Sequence, residues 1–111
     1  NLMSVSTLIL TDSGGIQEEA PALGKPVLIL MAKTERPEIV SIGAARLVGS
    51  KRDIIYKEVK GLLIDSKRYQ NMVVNKSPYG DGYAAKRIVE FILFKNQFLE
   101  KIPDEYHFKF Q

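Results

Sequence analysis

The sequence predicts an α/β fold in which a parallel β-sheet is flanked by helices, and three observations predict it. Two short runs, Thr7-Leu8-Ile9-Leu10 and Val27-Leu28-Ile29-Leu30, are apolar without alternation, the pattern of strands buried on both faces of a parallel sheet. Segments with helical spacing separate the strand candidates, so strand–helix recurs three times, as in a right-handed crossover unit. Glycine and proline fall where such helices must stop or start, at Gly24, Pro37 and Gly43.

Taken in order, Thr7 to Leu10 is the first strand, and Gly14-Gly15 breaks it. Ile16 to Leu23 reads as a short helix that Gly24 ends in a left-handed turn. Pro26 opens the second strand, since proline is tolerated at a strand's first residue. The polar loop Ala32 to Arg36 leads to Pro37 at a first helical position, and the helix runs to Ile42 before Gly43 closes it. Arg46-Leu47-Val48 is a third, shorter strand. Ser50 with Asp53 suggests a capping box, starting a helix whose Ile55, Val59, Leu62 and Leu63 share one apolar face. Ser66 to Val74 is a further short helix, and Asn75 to Gly82 a loop. The last helix runs from Tyr83 to about Leu99, capped by Asp81 or Gly82, with Ala85, Ile88, Val89, Ile92 and Leu93 on one stripe. The tail 101–111 carries aromatic residues without a period, as a surface seeking a partner would. Three strands are half of a doubly wound sheet, and few helices remain to cover both faces.

Length and composition bound the function. The 111 residues suffice for one small domain; they are 45% hydrophobic with a net charge of +3, as suits a globular chain. With no cysteine, disulfides, thiolate metal sites and thiol catalysis are excluded. The pI near 9.2 could indicate nucleic acid, but the basic residues are scattered rather than gathered into one patch, so no nucleic-acid partner is expected. No apolar run approaches the ~20 residues of a membrane span, and no membrane partner is expected. The chain starts at Asn1 and shows no basic signal region, which points to a cytoplasmic piece of a longer protein.

The chemistry-bearing segment is Thr11-Asp12-Ser13-Gly14-Gly15-Ile16-Gln17-Glu18-Glu19. A strand that ends in Ser-Gly-Gly before a helix puts backbone N–H groups and the helix dipole at one point, an anion site. Glycine lets phosphate oxygens reach the backbone, and Ser13 can add a hydroxyl. Glu18 or Glu19 can accept both hydroxyls of a ribose diol, or both are simply acids favoured at a helix start. Arg36, after the second strand, stands in the same crevice, either on the nucleotide or in a loop salt bridge. Pro78-Tyr79-Gly80-Asp81-Gly82 reads as a turn, and His107 lacks partner acids for catalysis.

Asp12 to Pro21, Gly24-Lys25-Pro26-Val27, Thr34-Glu35-Arg36-Pro37-Glu38, Arg46-Leu47-Val48-Gly49 and Pro78 to Gly82 together closely resemble UDP-N-acetylglucosamine 2-epimerases, from about Leu8 to Leu93. The resemblance implies a Rossmann-like parallel sheet, half of the second domain of a two-domain glycosyltransferase-B-like fold. It implies that Ser13, Gly14 and Gly15 hold the diphosphate, that Glu19 rather than Glu18 holds the ribose hydroxyls, and that Arg36 is a further UDP contact. The implied reaction interconverts UDP-N-acetylglucosamine and UDP-N-acetylmannosamine by eliminating UDP to a glycal and adding it back, with no cofactor and no metal. The carboxylates and histidine for the proton chemistry belong to earlier segments, so no catalytic residue is assigned here. Met31-Ala32-Lys33 stand where the family commonly has Arg-Asp-Thr, and Ser77 where asparagine is usual.

The expected organisation is therefore a UDP-binding part over 1–99 and an aromatic tail over 100–111. Its expected partners are a UDP-sugar and the missing N-terminal domain or an upstream chain, with a homodimer left open. A non-catalytic UDP-binding remnant, a hydrolysing epimerase and a related glycosyltransferase are the alternatives.

Overall fold

The computed structural model describes residues 2–97 and 101–108. The chain forms two compact units, Asn1–Pro78 and Tyr79–Gln111. The expected boundary at 99/100 lies outside the described residues.

In the first unit, a four-residue helix α1 (Leu2–Val5), which the sequence did not announce, precedes β1 (Ile9–Thr11), α2 (Gly14–Ala22), β2 (Val27–Ile29), α3 (Pro37–Ser41), β3 (Ala45–Leu47), α4 (Arg52–Ile64) and α5 (Ser66–Met72). The three strands form one parallel sheet in the order β1-β2-β3. Ile9, Leu10 and Thr11 lie beside Val27, Leu28 and Ile29, which in turn lie beside Ala45, Arg46 and Leu47. Every residue of β2 is fully buried, as its unalternating apolar sequence requires.

Period-2 geometry sends Val27 and Ile29 to one face and Leu28 to the other. On the first face, Val27 and Ile29 pack with Ala20 of α2, Ile39 of α3 and Ala45. On the second, Leu28 packs with Val48 and Leu62 of α4, and Ile55, Val59 and Met72 close around them. The sheet is thus covered on both sides, because α4 and α5 supply the second layer that seemed wanting from the helix count.

Both short helices end in the same device. At α2, Gly24 N–H donates to Pro21 O (3.0 Å) and Lys25 N–H to Ala20 O (3.1 Å). At α3, Gly43 N–H donates to Val40 O and Ala44 N–H to Ile39 O, both at 3.0 Å. These are Schellman turns with glycine in the left-handed region, φ 68° at Gly24 and 79° at Gly43. Each turn delivers the chain directly into the next strand.

The expected capping box does not form. Helix α4 begins at Arg52 with Lys51 as N-cap, and no side chain caps it, so Ser50 lies one residue too early to serve. Asp65 caps α5 instead, its Oδ1 accepting from Lys67 N and Arg68 N at 3.1 Å. Of the α4 stripe, Leu62 is buried, but Leu63 is 62% exposed because position i+8 has turned off the inward face. Glu58, on α4, accepts from Arg46 of β3 at 2.7 Å and also from Arg68 of α5.

In the second unit, α6 (Ala84–Lys95) has Tyr83 as N-cap without a side-chain capping bond. Neither Asp81 nor Gly82 is therefore the cap, and the expected end near Leu99 lies outside the described residues. Asp81 instead grips Arg87 with both carboxylate oxygens, at 2.6 and 2.5 Å. Arg87 Nε donates to Asp104 O at 3.1 Å, and the guanidinium stands 5.9 Å from the centre of the Tyr106 ring. The Arg87 hydrogen bonds hold the Asp81 carboxyl well below the usual carboxylate range. The stripe Ile88, Val89, Ile92 and Leu93 is exposed.

Two predictions follow from this packing. Gly24→Ala forces a side chain into left-handed backbone and onto Asn75, whereas Gly49→Ala, at φ 67°, meets open space. Urea denaturation should show a loss of ~1 kcal/mol for Gly49→Ala, the backbone cost alone, and a clearly larger loss for Gly24→Ala. Burial works to raise the Glu58 carboxyl, but Arg46 and then Arg68 outweigh it and hold the group below the usual glutamate range. With the folded pKa depressed, its stabilisation is complete above the unfolded value of about 4.3 and is lost as pH falls through the folded one. Urea midpoints measured from pH 7 to 3 should therefore fall less steeply in Glu58→Gln than in the unsubstituted chain.

Candidate functional site

Because the strands are parallel, β1 and β2 finish side by side, with Thr11 opposite Ile29. The loops after them leave from the same end of the sheet, the carboxyl end, where open α/β sheets bind ligands.

The first loop is a tight turn. The hydroxyl of Thr11, whose side chain is buried, accepts from Ser13 N–H at 3.0 Å, which bends the chain straight into α2. Ser13 is the N-cap residue in extended conformation, and its hydroxyl makes no capping hydrogen bond. Gln17 N–H closes the first turn on Ser13 O at 3.1 Å. The amides of Gly14, Gly15 and Ile16 thus lead the helix, where the macrodipole is positive.

The second loop brings Arg36 over this helix start. A Cβ placed on Gly14 would stand 3.7 Å from an Arg36 guanidinium nitrogen, and one on Gly15 would stand 3.9 Å from Ser13 Oγ. The glycine faces therefore open between a hydroxyl and a guanidinium. Arg36 Nε donates to Glu18, so of the two readings left open for Arg36 the ion pair is formed, and its partner is Glu18. Glu19, the next residue, is exposed; among the described residues no side chain pairs with it.

The structure thus brings Ser13, Gly14, Gly15 and Arg36 together, with Glu19 on the following turn of the same helix. Two further members were not anticipated. The Thr34 hydroxyl donates to Gln17 Oε1 at 2.6 Å and accepts from Arg36 N–H at 3.0 Å. Gln17 had a signal in the sequence: it shares spacing i, i+3, i+4, i+7 with Ala20, Pro21 and Gly24, all of them buried. A polar side chain on a buried stripe must find a hydrogen-bond partner.

Chemically, the crest gathers amides, a hydroxyl and a guanidinium, all able to donate to one anion. The Glu18–Arg36 pair is the internal charge balance, with side chains 39% and 33% exposed. Solvent screens such a pair, so another anion can take the place of Glu18. A separate depression of about 420 Å³ opens beside β3, lined in part by Arg46, Leu47, Arg68 and Asn71. It shares none of the crest residues, and the helix-start chemistry does not extend to it. No helix among the described residues is long and apolar enough to cross a membrane.

Replacing Glu18 by glutamine should shift the urea-derived stability by less than ~1 kcal/mol. A substantially larger loss would make the pair a folding element rather than an exchangeable one.

Comparison with known proteins is consistent across sequence and structure. A family model described as UDP-N-acetylglucosamine 2-epimerase matches residues 1–93. A UDP-N-acetylglucosamine 2-epimerase of Bacillus subtilis is 49% identical over 106 residues, 96% of this chain and 28% of the relative. A crystal structure of a UDP-N-acetylglucosamine 2-epimerase superimposes with a TM-score of 0.91 at 48% identity, over 96% of this chain and 29% of that one. The Neisseria meningitidis enzyme, solved bound to UDP-GlcNAc, superimposes with a TM-score of 0.77 at 52% identity, over 84% of this chain and 25% of that one. The chain spans between 25% and 29% of the length of these relatives.

Proposed function

The chain belongs to the UDP-N-acetylglucosamine 2-epimerase family, and from that premise we propose that it is the UDP-holding portion of an epimerase interconverting UDP-N-acetylglucosamine and UDP-N-acetylmannosamine. The observation that carries this reading is the Arg36 guanidinium standing over Gly14 at the start of α2. It sets a partly exposed positive charge beside the leading amides of the helix.

In this reading the Ser13 hydroxyl and the amides at Gly14 and Gly15 receive the phosphate oxygens, and Arg36 exchanges Glu18 for them. The family resemblance gives the ribose hydroxyls to Glu19, which is exposed on the same helix. Elimination removes the C2 proton and breaks the C1–oxygen bond, so negative charge grows on the departing UDP. Preorganised donors stabilise that charge without reorganising solvent. Re-addition to the opposite configuration at C2 returns the proton and re-forms the bond. The sequence is redox-neutral, and the groups that move the proton belong to segments outside this chain. The UDP-GlcNAc bound by the Neisseria meningitidis relative supports the choice of nucleotide. Met31, Ala32 and Lys33, which replace the family's common Arg-Asp-Thr, are all exposed in the loop before Thr34, so the cradle itself keeps its partners.

Calorimetric titration tests the assignment. The chain should bind UDP, and Glu19→Ala should weaken UDP and uridine alike by about tenfold, the loss of a charge-assisted hydrogen bond. Unchanged affinity would remove Glu19 from the ribose. Incubation with UDP-N-acetylglucosamine in D2O should leave C2 undeuterated by NMR, and turnover by this chain alone would overturn the division of labour proposed.

A further inference from the structure

We propose that Gln17 is the positioning residue for Arg36, acting through the Thr34 hydroxyl; the inference rests on Arg36 being a UDP contact. Gln17 is 2% exposed, on the face of α2 that also carries Ala20, which packs against Val27, Ile29 and Ile39. An aliphatic side chain would suit that surface, and an amide there costs stability unless it is hydrogen-bonded. Its bond goes to Thr34, at 2.6 Å. The same hydroxyl oxygen takes the Arg36 N–H at 3.0 Å, so the one donor of Thr34 and one of its two acceptor positions serve this one chain of contacts.

The consequence is geometric. Gln17 lies one helical turn beyond Gly14, so the helix that presents the amides also anchors the loop that presents the guanidinium. Both halves of the anion cradle are then referenced to a single rigid element. Pro37 follows Arg36 at the first position of α3 and restricts its backbone from the other side. With its backbone held by Thr34, the long Arg36 side chain needs only to swing its tip from Glu18 to a phosphate. Preorganisation of this kind raises affinity by lowering the ordering cost on binding.

The test uses Thr34→Val, which keeps the shape and deletes the hydroxyl, and Thr34→Ser, which restores it. Gln17→Leu is a supporting variant. By titration, Thr34→Val should weaken UDP binding about five- to tenfold, leave uridine binding unchanged, and be rescued by serine. In an Arg36→Ala background it should cause no further loss. A loss shared by UDP and uridine, or one that persists without Arg36, would overturn the proposal in favour of a purely structural role. The second readout needs no nucleotide: the Arg36 Nε–H NMR signal should be slowly exchanging in the unsubstituted chain and in Thr34→Ser, and broadened in Thr34→Val. An unaltered signal in Thr34→Val would overturn the positioning role. If the unsubstituted chain binds no UDP while this signal behaves as expected, the UDP reading falls and the positioning of Arg36 stands.

Discussion

Everything in the first unit depends on burying β2. Its three side chains have no solvent exposure, and each is worth ~1.5–3 kcal/mol relative to an exposed position. A strand buried on two faces needs a layer of helices on each, and a strand in the middle of a sheet needs a neighbour on each edge. Helices α2 and α3 satisfy the first face, α4 and α5 the second, and β1 and β3 the edges. The two Schellman turns make this compact, since each returns the chain from a short helix to the next strand within a few residues.

The position of the candidate site is a by-product of the same constraint. Parallel strands joined by helices must all finish at one end, so the turn that starts α2 and the loop that starts α3 emerge together. The crest then carries more donors than acceptors: leading amides, a serine hydroxyl and a guanidinium. Glu18 balances the arginine without burying it, which keeps the positive charge available to an incoming anion.

The strands and the glycine-terminated helices were legible because their signals are local. Val27 to Leu30 has no polar residue to face solvent, and Gly24 and Gly43 stand where only a left-handed residue lets a helix turn back. The misjudged ends have local explanations as well. Ser50 has the right chemistry for a cap but sits one residue ahead of the N-cap position. Asp65, with two amides to accept from, caps α5 although nothing in its surroundings drew attention to it. Leu63 extended an apolar run, but its angle on the helix carries it past the sheet.

For the site, the sequence by itself determined the turn at Ser13-Gly14-Gly15 that starts α2 and brought Arg36 to the same crevice, because strand ends and helix starts follow from short-range patterns. The ordered blocks from Asp12 to Gly82 also determined the family. Which glutamate pairs with Arg36, and that Gln17 reaches Thr34 across 17 residues, only the tertiary structure decided. Adjacent acids on a helix differ by a rotation whose meaning depends on what packs beside it. A hydrogen bond between a helix and a distant loop leaves no period in the chain that makes it.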